Sequence, residues 1–244
     1  IIDGGSTDGS IDIIKKYKNN ISYWESKKDT GIYNAMNKGI KKTNGEYLQF
    51  LNSGDYLLSK EILKKVFSKI NNKDIYYGSS LRKSEIEEIF EFKEPQNLTF
   101  KRFFDYSICH QSMFIKKEVF EKIGFYNEKL KIASDWEFNV KAIILNNCSL
   151  GFLSFPIVFY DNTGISSNKQ KNSLKEKEQC LNQLIPARIL ADYSTSSTIK
   201  PTDKSEYENK IKILSNDLKT IQSSKFYKLW QTWNKLLKKI GIKK

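Results

Sequence analysis

The chain has 244 residues, and its 39% hydrophobic and 13% aromatic content can build a sizeable core, which excludes global disorder. Three cysteines without metal-ligand spacing favour free thiols and a reducing compartment. No run of about 18 apolar residues occurs, so no membrane-spanning helix is predicted. The net charge of +13 suits an anionic partner such as nucleic acid, acidic lipid or a phosphorylated substrate.

The first seventy residues predict three units in which a strand is followed by a helix. In the first unit, the glycine-rich turn 3–10 can present backbone N–H groups to an anion, although a βα turn without a ligand is the plain alternative. The alternation predicts an α/β fold with a mostly parallel, doubly wound sheet and flanking helices. Because the chain begins at a strand end, an upstream strand is expected to be absent. The predicted strands include residues 1–2, 21–24 and 47–51, and the predicted helices begin at Ser10, Gly31 and Ser59.

The third unit carries the clearest candidate for a binding site. Its strand, residues 47–51, has the near-continuous apolar pattern of a strand covered on both faces, and Asn52, Ser53 and Gly54 then form a turn that ends at Asp55. Ligands of open α/β sheets bind outside the carboxyl ends of the strands. Asp55 could therefore offer oxygen to Mg²⁺ or Mn²⁺, with waters or substrate phosphates completing the shell. An aspartate that only forms the turn is the alternative.

The later part of the chain predicts two more strands and a long helix. Residues 75–78 and 89–92 indicate strands around a polar turn, and residues 135–145 indicate a helix. Residues 73–105 are expected to form the variable half of the domain. An aromatic cluster lies near the end of that region, and a core role is the simpler expectation for it. The cluster consists of Phe100, Phe103, Phe104 and Tyr106.

The chain contains, in this order, the blocks Asp3–Ser10, Asp29–Gly39, Gly45–Asp55, His110–Phe114, Gly124-Phe125 and Ala133–Glu137. Together these blocks resemble family 2 glycosyltransferases over about residues 1–165. The resemblance implies a GT-A-like fold and an inverting transferase that uses a nucleotide-diphospho-sugar, most commonly a UDP-sugar, and Mg²⁺ or Mn²⁺. It also implies a saccharide or lipid-linked acceptor and bacterial surface polysaccharide biosynthesis. Acceptor choice is then expected to depend on residues 73–105, where the aromatic cluster could alternatively stack on a sugar.

The resemblance also implies roles for individual residues. Asp55 would bind the metal and Asp135 would be the catalytic base. The nucleotide-sugar would contact Asp3, Ser6, Asp29 and Asn52. His110, Trp136 and Glu137 would either contact the acceptor or support the residues that do so.

The sequence departs from the family pattern in three places. The first family strand is absent, which removes part of the nucleoside pocket. Ser53-Gly54-Asp55 keeps only the last acid of the paired carboxylates, so metal binding would depend on one carboxylate and the substrate diphosphate. Lys27 stands where relatives often have glutamate.

Each candidate residue also has a structural alternative. Asp29 or Thr30 could cap the second helix, and Asp135 could cap the helix that it begins. Glu137 could simply lie favourably near a helix N-terminus. His110 could be a hydrogen-bonded core residue instead of a group with a proton or metal role.

The C-terminal residues predict a separate helical region. We expect a catalytic domain at 1–165, a helix from Ser173 to Ile185 with a polar linker within 166–200, and a basic amphipathic tail at 201–244. The tail holds eleven lysines and four acidic residues, and its Trp and Leu opposed by Lys are typical of a helix on a membrane surface. The heptad spacing at 207–221 alternatively indicates self-association, and docking on the domain is a third option.

Three functions follow as competing hypotheses. A glycosyltransferase is the leading one, and it predicts a cytoplasmic location, on the inner face of the cell membrane if the tail binds lipid, with no nucleic acid partner. A nucleic-acid-binding module would explain the charge of +13. A non-catalytic remnant of a transferase would explain the missing first strand.

Overall fold

A computed structural model of the chain describes residues 1–83, 88–161 and 170–196. The predicted tail at 201–244, including its 207–221 segment, lies outside the described residues. One compact unit extends from Ile1 to Leu190, and a second begins at Ala191. Within the described residues, no helix combines the length and the apolar character needed to cross a bilayer.

The chain begins with two short βα units. Strand β1 (Ile2–Asp3) pairs in parallel with β2 (Glu25–Ser26). Helix α1 (Ser10–Lys16) follows the glycine-rich turn, and α2 (Ile32–Lys42) follows β2. Both predicted helices are confirmed. The second strand lies a few residues later than its apolar pattern at residues 21–24 predicts.

Within the described residues, the main sheet has six strands, β3 (Tyr47–Leu48), β4 (Tyr56–Leu57), β5 (Ile75–Lys83), β6 (Ile89–Phe92), β7 (Met113–Lys116) and β8 (Leu150–Tyr160). Their order is β3-β7-β5-β8-β4, with β6 added alongside β5. Of these strands, β5 and β8 pair in parallel, over an irregular register, and the other pairs are antiparallel.

The α/β class with flanking helices is therefore confirmed, but the sheet is mixed instead of mostly parallel. The βα alternation stops after the third unit, because β5 and β6 follow one another without a helix and pair as antiparallel neighbours. The strand expected at 47–51 is also shorter than predicted. Only Tyr47 and Leu48 pair, at one edge of the main sheet, and the side chain of Leu51 is 43% exposed.

The remaining helices cover the sheet and enclose the core. The helix expected at 135–145 is confirmed as α6, which continues directly as a π-helix over Val140–Leu145. Such π segments are frequent at functional sites. The helices are α3 (Ile62–Phe67), α4 (Phe100–Asp105), α5 (Lys117–Ile123), α6 (Ser134–Asn139), α7 (Gln170–Leu184) and α8 (Ala187–Ser196).

Helix α7 belongs to the core of the first unit. The helix predicted at Ser173–Ile185 is confirmed with slightly different bounds, and Cys180 and Ile185 are buried in the same hydrophobic cluster as Trp136. The carboxylate of Glu176 accepts hydrogen bonds from the backbone N–H groups of residues 131–133 at 2.9–3.0 Å. The compact unit therefore includes a helix that follows residue 165.

Candidate active site

A cavity of about 960 Å³ opens where the turn after β3, strands β5 and β6, segment 106–111 and the start of α6 converge. We call it the central cavity. Parts of α7 also border it. Five of the nine site residues expected from the sequence line it, namely Asn52, Asp55, His110, Asp135 and Trp136.

Asp135 lies in the first turn of α6 and is held by two donors. His110 Nδ1 lies 3.0 Å from Asp135 Oδ2, and the Tyr33 hydroxyl donates to Oδ1 at 2.8 Å. Burial raises the pKa of Asp135, but the hydrogen bonds from His110 and Tyr33 outweigh burial and leave this pKa below its ordinary value. The carboxylate is thus ionised at neutral pH. The N-cap of α6 is Ala133, so Asp135 does not cap this helix.

His110 connects Asp135 to the turn after β3. It begins a short 3₁₀ turn, His110–Ser112, directly before β7. Its Nε2 lies 3.1 Å from the side-chain nitrogen of Asn52, which can only donate. Because Nε2 accepts this bond, Nδ1 carries the proton that is donated to Asp135. The side chains of His110 and Asp135 are each only 14% exposed, so this arrangement is largely shielded from water.

Asp55 is held by two donors of its own. Its Oδ2 accepts a hydrogen bond from Gln111 Nε2 at 2.8 Å, and its Oδ1 accepts one from the backbone N–H of Asp161 at 2.9 Å. The Asp161 side chain packs on Gly54, where φ is +93° and a Cβ would lie 3.0 Å from the Cβ of Asp161. Glycine at this position therefore permits both the left-handed backbone and the close approach of Asp161.

The carboxylate-rich corner of the central cavity suits a hard divalent cation. Asp55 and Asp161 both line the cavity, and carboxylate oxygens are ligands that Mg²⁺ and Mn²⁺ prefer. In the part of the chain that the structure describes, no group of three His, Cys, Asp or Glu side chains forms a complete metal site. Phosphate oxygens of a substrate would have to complete the shell, which agrees with the chemistry expected for Mg²⁺ in phosphate-containing sites.

Three residues that were predicted to contact the nucleotide-sugar form a separate group at the ends of β1 and β2. Asp3 accepts hydrogen bonds from the hydroxyls of Ser26 at 2.6 Å and Ser6 at 2.5 Å, and these bonds, together with backbone N–H groups, lower its pKa. Asp29 accepts a bond from the N–H of Gly31 at 3.1 Å, and a Cβ at Gly4 would lie 2.8 Å from its carboxylate. The Asp29 carboxylate thus lies beside the glycine-rich turn. Asp3, Ser6 and Asp29 do not line the central cavity.

The remaining predicted residues lie on two sides of α6. Trp136 lines the cavity and donates from Nε1 to the carbonyl of Phe103 at 2.9 Å. Glu137 is buried, forms an ion pair with Lys141 at 2.9 Å and does not line the cavity. Its position therefore gives no support to an acceptor role.

Sequence reasoning missed several residues that border the same cavity. Asp161 follows the carboxyl end of β8, and the rule that places ligands at strand ends could have identified it. Tyr33 and Gln111 lie within the family blocks 29–39 and 110–114, but no role was implied for either. Arg82 on β5 and Lys177 on α7 show no sequence pattern that separates them from core or surface residues. The missed residues are Tyr33, Arg82, Gln111, Asp161 and Lys177.

The fold and the cavity define a member of a known transferase family. The family model described as glycosyl transferase family 2 matches residues 1–124, about half of the chain, and the chain belongs to this family.

Individual relatives agree with this assignment. A PGL/p-HBAD biosynthesis glycosyltransferase of Mycobacterium bovis (strain BCG / Pasteur 1173P2) is 29% identical over 69% of this chain and 66% of its own length. An uncharacterized glycosyltransferase of Mycobacterium tuberculosis is 25% identical over 71% of this chain and 67% of its own length.

Among solved structures, S. aureus TarS 1–349 in complex with UDP-GlcNAc superposes with a TM-score of 0.52 and 22% identity. The superposition covers 66% of this chain and 48% of the TarS chain, so this chain spans about half of that length. At this identity the likeness concerns the fold alone, and it confirms the expected GT-A-like fold.

Proposed function

We propose that this chain is a glycosyltransferase that moves a sugar from a nucleoside-diphosphate donor to a hydroxyl group of a saccharide or lipid-linked acceptor, with inversion at the anomeric carbon. The observation that carries the proposal is that Asp55 and Asp135 line one cavity and are bound by neighbouring residues. His110 contacts Asp135 and Asn52, and the next residue, Gln111, donates to Asp55. Relatives named for glycosyltransfer support the activity, and the TarS complex with UDP-GlcNAc supports a UDP-sugar as donor.

Asp135 would act as the general base. As the acceptor oxygen attacks the anomeric carbon, the bond from that carbon to the diphosphate oxygen breaks and the nucleoside diphosphate leaves with the bonding electrons. The proton of the acceptor hydroxyl passes to the carboxylate of Asp135, a transfer that contributes roughly 10²–10⁴-fold to such rates. His110 and Tyr33 would hold the carboxylate in place and keep it ionised. Attack opposite the leaving group gives inversion.

Asp55, supported by Asp161, would hold Mg²⁺ or Mn²⁺ at the donor diphosphate. When bound, the cation supplies positive charge where the leaving diphosphate becomes more negative. Gln111 would orient Asp55 through its hydrogen bond to Oδ2. Asn52 would contact the donor beside His110.

The nucleoside would bind near the ends of β1 and β2. Asp3, Ser6 and Asp29 are proposed to contact it, next to the backbone N–H groups of the glycine-rich turn. We also propose a cytoplasmic location, with the tail at 201–244 on the inner face of the membrane or engaged in self-association through 207–221.

A thermal-shift screen of UDP-sugars with and without Mn²⁺ tests the proposal. At a donor concentration 100 times its Kd, binding to the native state alone stabilises by about 2.7 kcal/mol, which raises Tm by roughly 5 to 10 °C. Asp55→Asn should remove the Mn²⁺-dependent part of this shift, whereas Asp12→Asn, an exposed change in α1, should preserve it.

The assay also separates the competing functions. If no nucleotide-sugar changes Tm under either condition, the proposal is wrong. Donor binding without transfer to any hydroxyl acceptor would instead identify a non-catalytic remnant. Steep salt-dependent binding of oligonucleotides without any response to nucleotide-sugars would favour the nucleic-acid alternative.

A further inference from the structure

One wall of the central cavity carries positive charge and aromatic rings. Arg82 of β5 and Lys177 of α7 line the cavity together with Phe92, Tyr106 and Tyr160. Lys177 lies outside the part of the chain that the family model matches. Tyr160 directly precedes Asp161 and pairs in register with Arg82, so this wall adjoins the Asp55 and Asp161 corner that suits a divalent cation.

Lys177 enters the cavity beside the proposed base. Its ammonium donates to the hydroxyl of Ser107 at 2.6 Å and lies 5.6 Å from the ring centroid of Trp136, and both of these partners are uncharged. Burial lowers the pKa of Lys177, although the charge of Asp135 opposes this shift. A partly desolvated ammonium in a cavity wall gains most from a ligand that brings negative charge.

The fixed position of α7 makes Lys177 more than a surface lysine. The neighbouring Glu176 accepts three backbone hydrogen bonds from residues 131–133, directly before α6. Cys180, one turn further along α7, is buried in the core. The helix that presents Lys177 is therefore attached to the segment that positions Asp135.

Arg82 is similarly fixed on the β5–β6 hairpin. Its guanidinium carbon lies 3.8 Å from the ring centroid of Phe92 and 5.0 Å from that of Tyr160, and its Nε donates to Ser80 at 3.2 Å. Its charge acts on the thiol of Cys109, next to His110. Arg82 and Lys177 thus both lie along segment 106–110, which ends at the residue that binds Asp135.

We propose that Arg82 and Lys177 form an acceptor subsite for a saccharide that carries a negatively charged group, either a carboxylate or a phosphate. The inference rests on the proposed glycosyltransferase function and names the acceptor class. The acceptor hydroxyl would face Asp135 while the charged group binds the two cations, and Tyr106, which is 57% exposed, would face the sugar ring.

Matched glycosides provide the test. Binding of p-nitrophenyl β-glucoside, p-nitrophenyl β-glucuronide and p-nitrophenyl β-glucoside 6-phosphate to the chain loaded with UDP and Mn²⁺ is measured by NMR titration. We expect at least one charged glycoside to bind about 10- to 100-fold more tightly than the neutral one, in the range of hydrogen bonds to charged groups. Comparison of the glucuronide with the phosphate shows which anion is preferred.

Three variants test whether Lys177 and Arg82 cause the tighter binding of charged glycosides, and a fourth variant is their control. Lys177→Met should lower the preference at least tenfold, Lys177→Arg should retain most of it, and Lys175→Met, an exposed change on the same helix, should not alter it. Arg82→Gln should also weaken it. Affinity for UDP should stay unchanged in all four.

The outcomes separate this inference from the proposed function. Equal affinities for neutral and charged glycosides would overturn the anionic subsite, and so would a loss of UDP affinity in Lys177→Met, which would assign the lysine to the donor. Absence of any nucleotide-sugar response in the unmodified chain would instead reject the transferase itself.

Discussion

Replacement of Asp135 by asparagine gives the most direct test of the proposed base. The asparagine side chain would keep the size of the aspartate but lose its charge and one acceptor oxygen. Both carboxylate oxygens of Asp135 now accept hydrogen bonds, Oδ2 from His110 and Oδ1 from Tyr33. In the variant, the asparagine oxygen can accept from His110 and the Tyr33 hydroxyl can donate to the carbonyl of Ile132, which lies 2.5 Å away. The change therefore weakens the charge-assisted hydrogen bonds without leaving a donor unpaired.

Two magnitudes follow from this geometry. Loss of the general base should lower kcat by about 10²–10⁴-fold, which corresponds to roughly 3 to 5 kcal/mol of transition-state stabilisation. Replacement of the hydrogen bonds to a charged carboxylate by weaker neutral ones should cost about 1 to 2 kcal/mol of folding stability. Because the folded-state pKa of Asp135 lies below its ordinary value, its contribution to stability is fully present above pH 3.8 and is lost as pH falls through the folded-state pKa. The stability difference between the two chains should therefore shrink in acid.

Initial rates of UDP release in the presence of acceptor, together with urea unfolding at pH 7 and pH 3, measure both effects. Asp12→Asn in the exposed part of α1 is the matched control, and it should leave rate and stability unchanged. Unchanged kcat in Asp135→Asn, with donor binding intact, would refute the assignment of the base. A pH-independent stability loss would refute the explanation of the lowered pKa.

Three further predictions test the surroundings of the site. Gly54→Ala should cost about 1 to 3 kcal/mol of stability and reduce the Mn²⁺-dependent thermal shift, because the added Cβ both strains the backbone and collides with Asp161. Gly9→Ala is the control, since its φ of +91° is similar and no atom lies near the added Cβ. Equal effects of the two variants on the shift would contradict this explanation. His110→Ala should lower kcat and move the acid limb of kcat/KM to higher pH, because His110 lowers the pKa of Asp135; an unmoved limb would exclude this role. Burial raises the pKa of Cys180 to about 11, so iodoacetamide at pH 8 should label it only after unfolding, and rapid labelling of the native chain by mass spectrometry would contradict its burial.

The local structure of the first units could be predicted from sequence because local signals agree there. The glycine-rich turn before Ser10 and the apolar spacing of α2 produce the helices that their patterns indicate. The sheet could not be predicted as well, since strand direction depends on pairing partners that are distant in the chain. β5 pairs with both β7 and β8, and no local pattern specifies these partners or the register shifts near Gly78.

The candidate site shows the same division between local and distant information. The family blocks alone indicated Asn52, Asp55, His110 and Asp135 as members of one site, and all four line one cavity. The hydrogen bond between Asp55 and the N–H of Asp161 joins residues 106 positions apart, so no local spacing could indicate it. Lys177 on α7 likewise lies about 40 residues beyond the last family block, which ends at Glu137.

Helix α7 has a consequence for how this chain can be divided experimentally. A fragment that ends near residue 165 would leave the N–H groups of residues 131–133 without their acceptor, the carboxylate of Glu176. It would also expose the apolar surface that Cys180 and Ile185 cover. The smallest fragment that keeps Asp135 in position must therefore extend at least to the end of this helix. Deletions meant to isolate the tail should begin after Leu190, where the first compact unit ends.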